Sequence, residues 1–502
     1  MMIKNFLVHT RLMRLKSENQ LRTLRGQNSK KKIGLCHGVF DILHDGHIEH
    51  FKNAKEKVDI LVVSITSKPF VNKGPRQPLN NDEKRINVLN SIKYIDYVFL
   101  NKNKDSTIVI NNLKPNLYFK GPDYLKSDSH GNLICELNVL KKNKGKVFFT
   151  KTRTQSSTKI FNQNYGWSKL QLKQLNQIKK KYSNKIEEYI HKISQLKINI
   201  IGEPIIDKYE YCDVVGVTTK DPVLSILSKK SSMISGGVLA SAKMAASFVK
   251  EVNLFTYGNE RLIKKLTGNK KNIKIFNIAK TQKIQQKTRF INSNRQEKLI
   301  QITNFAKNTF SDKEKKIFLT KFKKMKYKNL IVCDFGIGLI ENEILNFINN
   351  LKVKKYLNVQ TNSINLGFNL FTKYNNYTYL CLDTREWELA LNNKNLAIKN
   401  IRKFVPKNGQ VSITMGKNGA KIIDNKLSEY FCPTFVSNVK DTTGSGDAFH
   451  IITSMLMLVK AEPDLTVFFG NIYAGMHGQN LGNTEIISKK KFLQNINSIL
   501  NT

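Results

Sequence analysis

No two of the six cysteines in this 502-residue chain are spaced C-x-x-C; Cys36, Cys135, Cys212, Cys333, Cys381 and Cys432 lie far apart. That distribution argues against a structural zinc site and a disulfide framework, and suits a reducing cytoplasm. Long apolar runs are also missing. The longest candidate, IITSMLMLV, falls well short of the roughly 20 residues of a membrane helix and reads as a buried helix. Acidic residues are scarce, 38 against 83 basic ones, for a net charge of +45. Such a balance fits an anionic partner. Yet there is no compact Arg-rich arm and no aromatic-basic pattern, so nucleic acid and membrane are not the expected partners. Lysine is spread along the chain, which reads as compositional drift.

What is present is enough for ordinary globular cores: hydrophobic residues make up 40% of the chain. The length suits two to four domains of roughly 100–200 residues. The first 30 residues are basic and acid-poor, as in a transit peptide. They lack the apolar core of a secretion signal, and a short helix is expected from about Ser17 to Gly26. Strand-like KKIGLCHGVF, DILVVSIT, YIDYVFL, NLYFKG and VFFT alternate with helix-like HIEHFKNAKEK, NNDEKRINVLNSI and STIVINNLK. That alternation predicts a parallel-sheet α/β domain over 31–163. A Lys- and Gln-rich helical connector is expected over 164–196. INIIGE then opens a second α/β unit, 197–502. No internal repeat is found.

Histidines cluster in GVFDILHDGHIEH, at His44, His47 and His50, with His37 just upstream. A strand, a tight loop and a helix start place Gly38 to His47 at the carboxyl edge of a sheet, where open α/β sheets bind ligands. His44 and His47 then stand at a helix N-terminus, whose free N–H groups and dipole favour an anion. Gly46 lets a phosphate approach the backbone. Two imidazoles beside it supply hydrogen bonds to phosphoryl oxygens. The competing reading is a zinc site with His50 as third ligand; the setting favours phosphate.

GVFDILHDGH resembles the signature of the cytidylyltransferase-like nucleotidyltransferases. Three further segments keep that family's order. NKGPRQPLNNDEKRINVL is similar to the stretch after the second strand. FKGPDY is similar to the Lys-Gly-x-Asp-Tyr turn, Lys120, Gly121, Asp123 and Tyr124. RTQSSTKI is similar to the closing motif, Ser156, Ser157 and Thr158. The resemblance implies transfer of a nucleoside monophosphate to a phosphorylated small molecule with release of pyrophosphate. It makes His44 and His47 catalytic at the α-phosphate. Gly38, Phe40, Asp41, Gly46, Ser156, Ser157 and Thr158 become nucleotide- or phosphate-binding, with Lys55, Lys120 and Arg153 as charge partners and Asp123 on the substrate. For Lys55 a solvated surface lysine is the equal alternative.

In the second unit, DTTGSGDAFH runs from Asp441 to His450. Small residues at a helix start expose consecutive N–H groups, a preformed anion hole. A carboxylate at its mouth, Asp447, has the placement of a general base for phosphoryl transfer to an alcohol. The plain alternative is a glycine-rich turn with an N-cap aspartate. The segment resembles the C-terminal signature of the ribokinase-like (PfkB) carbohydrate kinases. IIGEPIIDKY is similar to their first strand, with Asp207 on sugar hydroxyls, and GGVLASAKMAA to the Gly236-Gly237 turn over the sugar. ITMGKNGA is similar to the turn beside the nucleotide, with Gly416 and Gly419. LDTREWE stands at an Asn-x-x-Glu element near magnesium, here Asp383 and Glu386. Gly444, Ser445 and Gly446 form the phosphate cradle. YEYCDVVGV and KTRFINSNRQEKLIQIT suit a small β lid. Two departures stand out. Val238, Leu239 and Ala240 occupy the region of a sugar-binding asparagine. Ile337 in DFGIGLI replaces a lysine.

Together the halves resemble bifunctional heptose-phosphate kinases and heptose 1-phosphate adenylyltransferases in reversed order. The resemblance implies a transferase that phosphorylates a sugar and then makes a nucleotide sugar, for surface-polysaccharide assembly. Its expected substrates are a sugar or sugar phosphate, ATP, and ATP or CTP for nucleotidyl transfer, with Mg2+. Two other readings stay open: a polyol- or sugar-phosphate cytidylyltransferase with a degenerate kinase half, and a non-catalytic nucleic-acid-binding or assembly protein. The assembly is left open, a homodimer included.

Overall fold

The computed structural model describes residues 14–71, 78–121, 133–150, 167–304, 308–323, 328–436 and 438–500. Packing divides the chain into two compact units, residues 1–168 with 494–502, and residues 169–493.

The first unit is a parallel sheet of β1 (Arg14–Leu15), β2 (Ile33–Gly38), β3 (Ile60–Thr66), β4 (Tyr97–Asn101), β5 (Leu117–Lys120) and β6 (Lys146–Phe149), in the order β1-β4-β3-β2-β5-β6. All seven residues of β3, ILVVSIT, are buried. A continuous apolar run is what a parallel strand covered on both faces requires. From β2 the chain steps through β3 to β4 on one side, then returns to β5 on the other. The C-terminal ends of β2 and β5 therefore flank the switch point where such sheets open a crevice. The leading helix, Glu18–Gln27, is capped by Ser17, whose Oγ accepts from the Gln20 amide at 3.3 Å. It buries Leu21 and Leu24.

The second unit adds β7 (Lys197–Gly202), β8 (Pro204–Val217), β9 (Leu224–Gly237), β10 (Glu251–Thr256), β11 (Ile273–Asn277), β12 (Gln285–Asn292), β13 (Lys298–Asn304), β14 (Asn329–Asp334), β15 (Lys354–Val359), β16 (Tyr379–Asp383), β17 (Gln410–Thr414), β18 (Ala420–Asp424) and β19 (Glu429–Cys432). Nine of them form the sheet β11-β10-β7-β14-β15-β16-β17-β18-β19. It is parallel up to β17, with β18 and β19 antiparallel at the edge. The other four form a lid sheet, β13-β12-β8-β9.

The sequence indicates three of the lid strands and misses β9. Its residues, LSILSKKSSMISGG, are rich in Lys and Ser and largely exposed, so no apolar alternation marks them. The stretch read as a connector from 164 to 196 also packs differently. Lys169–Tyr182 and Ile186–Ser194 are helices that bury Leu175, Ile178, Tyr182, Ile186, Ile190 and Ile193. Their spacing of three and four residues gives a polar helix one apolar seam. The Tyr189 hydroxyl donates to Glu462 at 2.7 Å, and that of Tyr182 donates to Asp464. The second unit therefore begins at Lys169 by packing, earlier than the 197 read from sequence. Among the described residues, no helix is long and apolar enough to cross a membrane.

Candidate active sites

In the first unit, β2 ends at Gly38 and the helix Asp45–Lys55 begins just after His44. Between them Phe40 takes the left-handed backbone, φ 45°. A Cβ on Gly38 would stand 3.1 Å from the Phe40 ring, so glycine makes room for that ring. Phe40 packs edge-on to His47 at 5.5 Å between centroids and against Phe51 at 5.1 Å. The loop thereby fixes His47. His44, the N-cap residue, stands beside it, with ring centroids 4.0 Å apart and planes at 38°. Two imidazoles this close at a helix N-terminus can hydrogen-bond neighbouring oxygens of one polyphosphate.

His50 faces elsewhere. Its Nδ1 meets Thr150 Oγ1 at 2.7 Å, and burial, aided by Lys120, pushes its pKa down to about 4. A third metal ligand from the same cluster is thereby corrected to a core histidine. Among the described residues no group of His, Cys, Asp and Glu is arranged to hold a metal ion. His37 is likewise neutral, pushed to about 4 chiefly by burial. Its ring nitrogens meet Ser64 at 3.2 Å and Thr66 at 3.4 Å.

The other proposed phosphate ligands divide. Lys120, at the end of β5, lies across the switch point from β2 and pairs with Glu136 at 2.9 Å, both nearly inaccessible. Glu136 also accepts from the Tyr118 hydroxyl and the Ser106 amide, both at 3.0 Å. Burial opposes its charge, but Lys120 above all holds its pKa below the usual carboxylate range. Asp41 clamps a loop: its carboxylate accepts the amides of Leu79 at 2.6 Å and Asn80 at 2.9 Å. An anion set on two amides is ill-placed to meet another anion. Lys55 is also displaced. It closes the far end of the helix from His44, about 16 Å along the axis. There it binds Asp96 and the Asp59 carbonyl, both at 2.6 Å. Lys55→Ala should leave nucleotidyl transfer within about twofold in steady-state assays. Stability should fall by no more than about 1 kcal/mol, as for a half-exposed ion pair. Asp123, Tyr124, Arg153, Ser156, Ser157 and Thr158 lie outside the described residues.

Arg85 is a structural residue the sequence does not flag. Buried, it donates to the Val39 carbonyl at 2.6 Å, the Thr66 carbonyl at 2.9 Å and Asp82 at 2.7 Å. It ties the histidine loop to the end of β3.

In the second unit the helix Ser445–Leu458 starts at Gly444, which has φ 79°. A Cβ at Gly444 would come within 2.6 Å of Asn483 Oδ1 and 3.0 Å of His477 Nε2. Both the backbone and the space demand glycine. Asp447 sits buried in the first turn and accepts a 2.5 Å hydrogen bond from Gln360 Nε2. Burial pushes its pKa up to about 7; Asp207 adds to this, while Gln360 and Lys287 oppose it. Asp207 on β8 pairs with Arg289 on β12. Gly236 and Gly237 end β9 beside it. A Cβ on Gly236 would lie 2.6 Å from Asp207 Oδ2, and Gly237 has φ 55°. The Gly-Gly turn, Asp207 and Asp447 thus converge.

Gly416 (φ 55°) and Gly419 (φ 97°) shape a tight turn after β17. Asp383 and Glu386, read as a magnesium element, form a capping box. Glu386 accepts the amides of Thr361 at 3.2 Å and Asp383 at 2.9 Å. Burial raises its pKa to about 8, with Asp383 contributing. Its oxygens are engaged with the backbone, so its demonstrable work is to cap the helix. Mg2+ arriving on nucleotide phosphates needs only one or two carboxylates. Asp383 is engaged in the same box, its Oδ1 accepting the Glu386 amide at 2.7 Å.

Residues 35–163 match the family model for Cytidylyltransferase-like proteins, and residues 213–450 that for pfkB family carbohydrate kinases. The bifunctional protein HldE of Campylobacter concisus is 34% identical over 125 residues, 24% of this chain and 26% of its own length. That of Aliarcobacter butzleri is 34% identical over 117 residues, 23% of this chain and 25% of its own. The matched region thus spans about a quarter of those relatives. The phosphofructokinase-2 of Escherichia coli, solved with substrates and products, aligns with TM-score 0.50 at 12% identity, over 61% of this chain and 99% of its own. That likeness concerns the fold alone. Along the chain, a region similar to cytidylyltransferase-like proteins is thus followed by a region similar to pfkB family carbohydrate kinases.

Proposed function

We propose that this protein makes a nucleotide-activated sugar in two steps, for surface-polysaccharide assembly. The kinase region phosphorylates a sugar from ATP, and the nucleotidyltransferase region joins a nucleoside monophosphate to the sugar phosphate. The observation that carries the reading is Asp447. It is a buried carboxylate with pKa about 7, in the first turn of a helix that opens on Gly444-Ser445-Gly446, close to Asp207. In the first step Asp447 takes the proton of a sugar hydroxyl held by Asp207. The hydroxyl oxygen bonds to the γ-phosphorus, the bond to ADP breaks, and the cradle N–H groups receive the phosphoryl charge. In the second, a sugar-phosphate oxygen attacks the α-phosphorus and pyrophosphate leaves. That nucleophile is already an anion, so no base is needed, and His44 and His47 serve by stabilising charge. Magnesium arriving with the nucleotide would supply neutralisation of phosphate charge.

Incubation with ATP, CTP and a panel of sugars and sugar phosphates, read by mass, should yield a sugar phosphate, a nucleotide sugar and pyrophosphate. A buried Ile337 in the kinase region supports the narrower reading, a sugar-phosphate nucleotidyltransferase with an inactive kinase half. Nucleotide sugar formed only from supplied sugar phosphates would decide for it. Salt-dependent retention on nucleic acid with no pyrophosphate release would contradict both.

A further inference from the structure

Three cationic side chains of the lid stand over the kinase centre. Arg289 is engaged by Asp207. Lys287 is the cross-strand partner of Asp207 in the register of β12 with β8. Lys298, the first residue of β13, reaches across to the turn before the cradle. Its ammonium lies 2.6 Å from Asp441 Oδ1 and 2.7 Å from Thr443 Oγ1. The same Asp441 oxygen accepts the Thr443 amide at 3.0 Å. Thr443 is held from the other side as well: its carbonyl meets His477 Nε2 at 3.2 Å, from the helix Pro463–Gly478. The residue immediately before Gly444 is therefore fixed by the lid through its side chain and by the body through its carbonyl. Asp441 is nearly buried, whereas Lys298 keeps 35% of its side-chain surface exposed. The ion pair is half sheltered at the seam between lid and body. Ile337, by contrast, is buried and apolar and supplies no charge from the end of β14.

We infer that Lys298 is a positioning residue for phosphoryl transfer, a lid-borne ammonium that fastens β13 to Asp441 and Thr443. Lid closure and the alignment of the Gly444–Gly446 N–H groups then become one event. The inference rests on the kinase reading above. It differs from a solvated surface pair in that both acceptors belong to the turn that leads into the cradle. An ammonium on a flexible stem suits this task, since it can release and re-form the contact as the lid moves.

Hydrogen exchange on the full-length wild type, Lys298→Ala and Lys298→Arg, each with and without a non-hydrolysable ATP analogue, tests it. In the wild type, peptides covering β13 and residues 441–446 should be protected together, more so with the analogue. Lys298→Ala should speed exchange in both segments by at least about tenfold and leave the rest of the chain unchanged. Lys298→Arg should restore most of the protection. In parallel, kcat for sugar phosphorylation in Lys298→Ala should fall at least about tenfold, with KM for ATP and the rate of nucleotidyl transfer nearly unchanged. Unchanged exchange at 441–446 in Lys298→Ala overturns the inference, as does a change confined to β13. If the wild type phosphorylates no sugar, the kinase reading fails, and the exchange data still judge the latch.

Discussion

Asp447→Asn should lower sugar phosphorylation by at least two orders of magnitude, within the ~10²–10⁴-fold contribution of a positioned base. Asparagine keeps the shape and can still meet Gln360, which now donates to Asp447 Oδ1 at 2.5 Å. Only the proton acceptor is lost. The pH profile carries the same information. With burial holding the carboxyl near pKa 7, Asp447 is protonated below that pH and unable to accept. For wild-type enzyme, kcat/KM for phosphorylation should therefore rise with pH and level off above about 7; in Asp447→Asn that limb should vanish. ATP affinity should stay close to wild type, because the cradle amides remain. Nucleotidyl transfer to a supplied sugar 1-phosphate should be untouched. Equal kinase rates in the two proteins would remove Asp447 from the mechanism.

His47→Ala should cut pyrophosphate release by about 10²–10³-fold, the ~3–4 kcal/mol expected when one preorganised donor to a developing charge is removed. Phe40 fixes the His47 ring, and His44 stands 4.0 Å away between centroids, so the two act on the same phosphates. His50→Ala provides the contrast. Its imidazole is bonded to Thr150 inside the core, so its loss should lower the melting temperature while turnover of the folded protein is kept. Chelation that inactivates the protein, with restoration by zinc and not by magnesium, would contradict the phosphate role of His47.

Much of this was legible in the sequence where chemistry and local structure coincide. The strand, loop and helix around GVFDILHDGH lie in consecutive residues, so their geometry follows from periodicity and from the helix start. The glycines of DTTGSGD could be read the same way, because a positive φ at Gly444 is a local demand. What stayed hidden depends on approach across the fold. Gln360 lies 87 residues from Asp447, and Lys298 lies 143 residues from Asp441. Glu136, the buried partner of Lys120, comes from a helix with no motif of its own. The partners of Lys55 and Asp41 were hidden for the converse reason. Their residue types suit a site, but the first sits at the wrong end of its helix and the second is engaged by a neighbouring loop. The Asp383–Glu386 pair shows how one spacing serves two purposes, since carboxylates three positions apart also make a capping box.

The central claim is that one chain runs two consecutive reactions from two separate constellations. The most direct test gives wild type, Asp447→Asn and His47→Ala the same accepted sugar, ATP and nucleoside triphosphate, and follows all products by mass. Wild type should accumulate nucleotide sugar and pyrophosphate. His47→Ala should stop at the sugar phosphate. Asp447→Asn should form almost nothing until sugar 1-phosphate is added, and then make nucleotide sugar at the wild-type rate. Loss of both steps in either variant, or nucleotide sugar from Asp447→Asn without added sugar phosphate, would contradict the account.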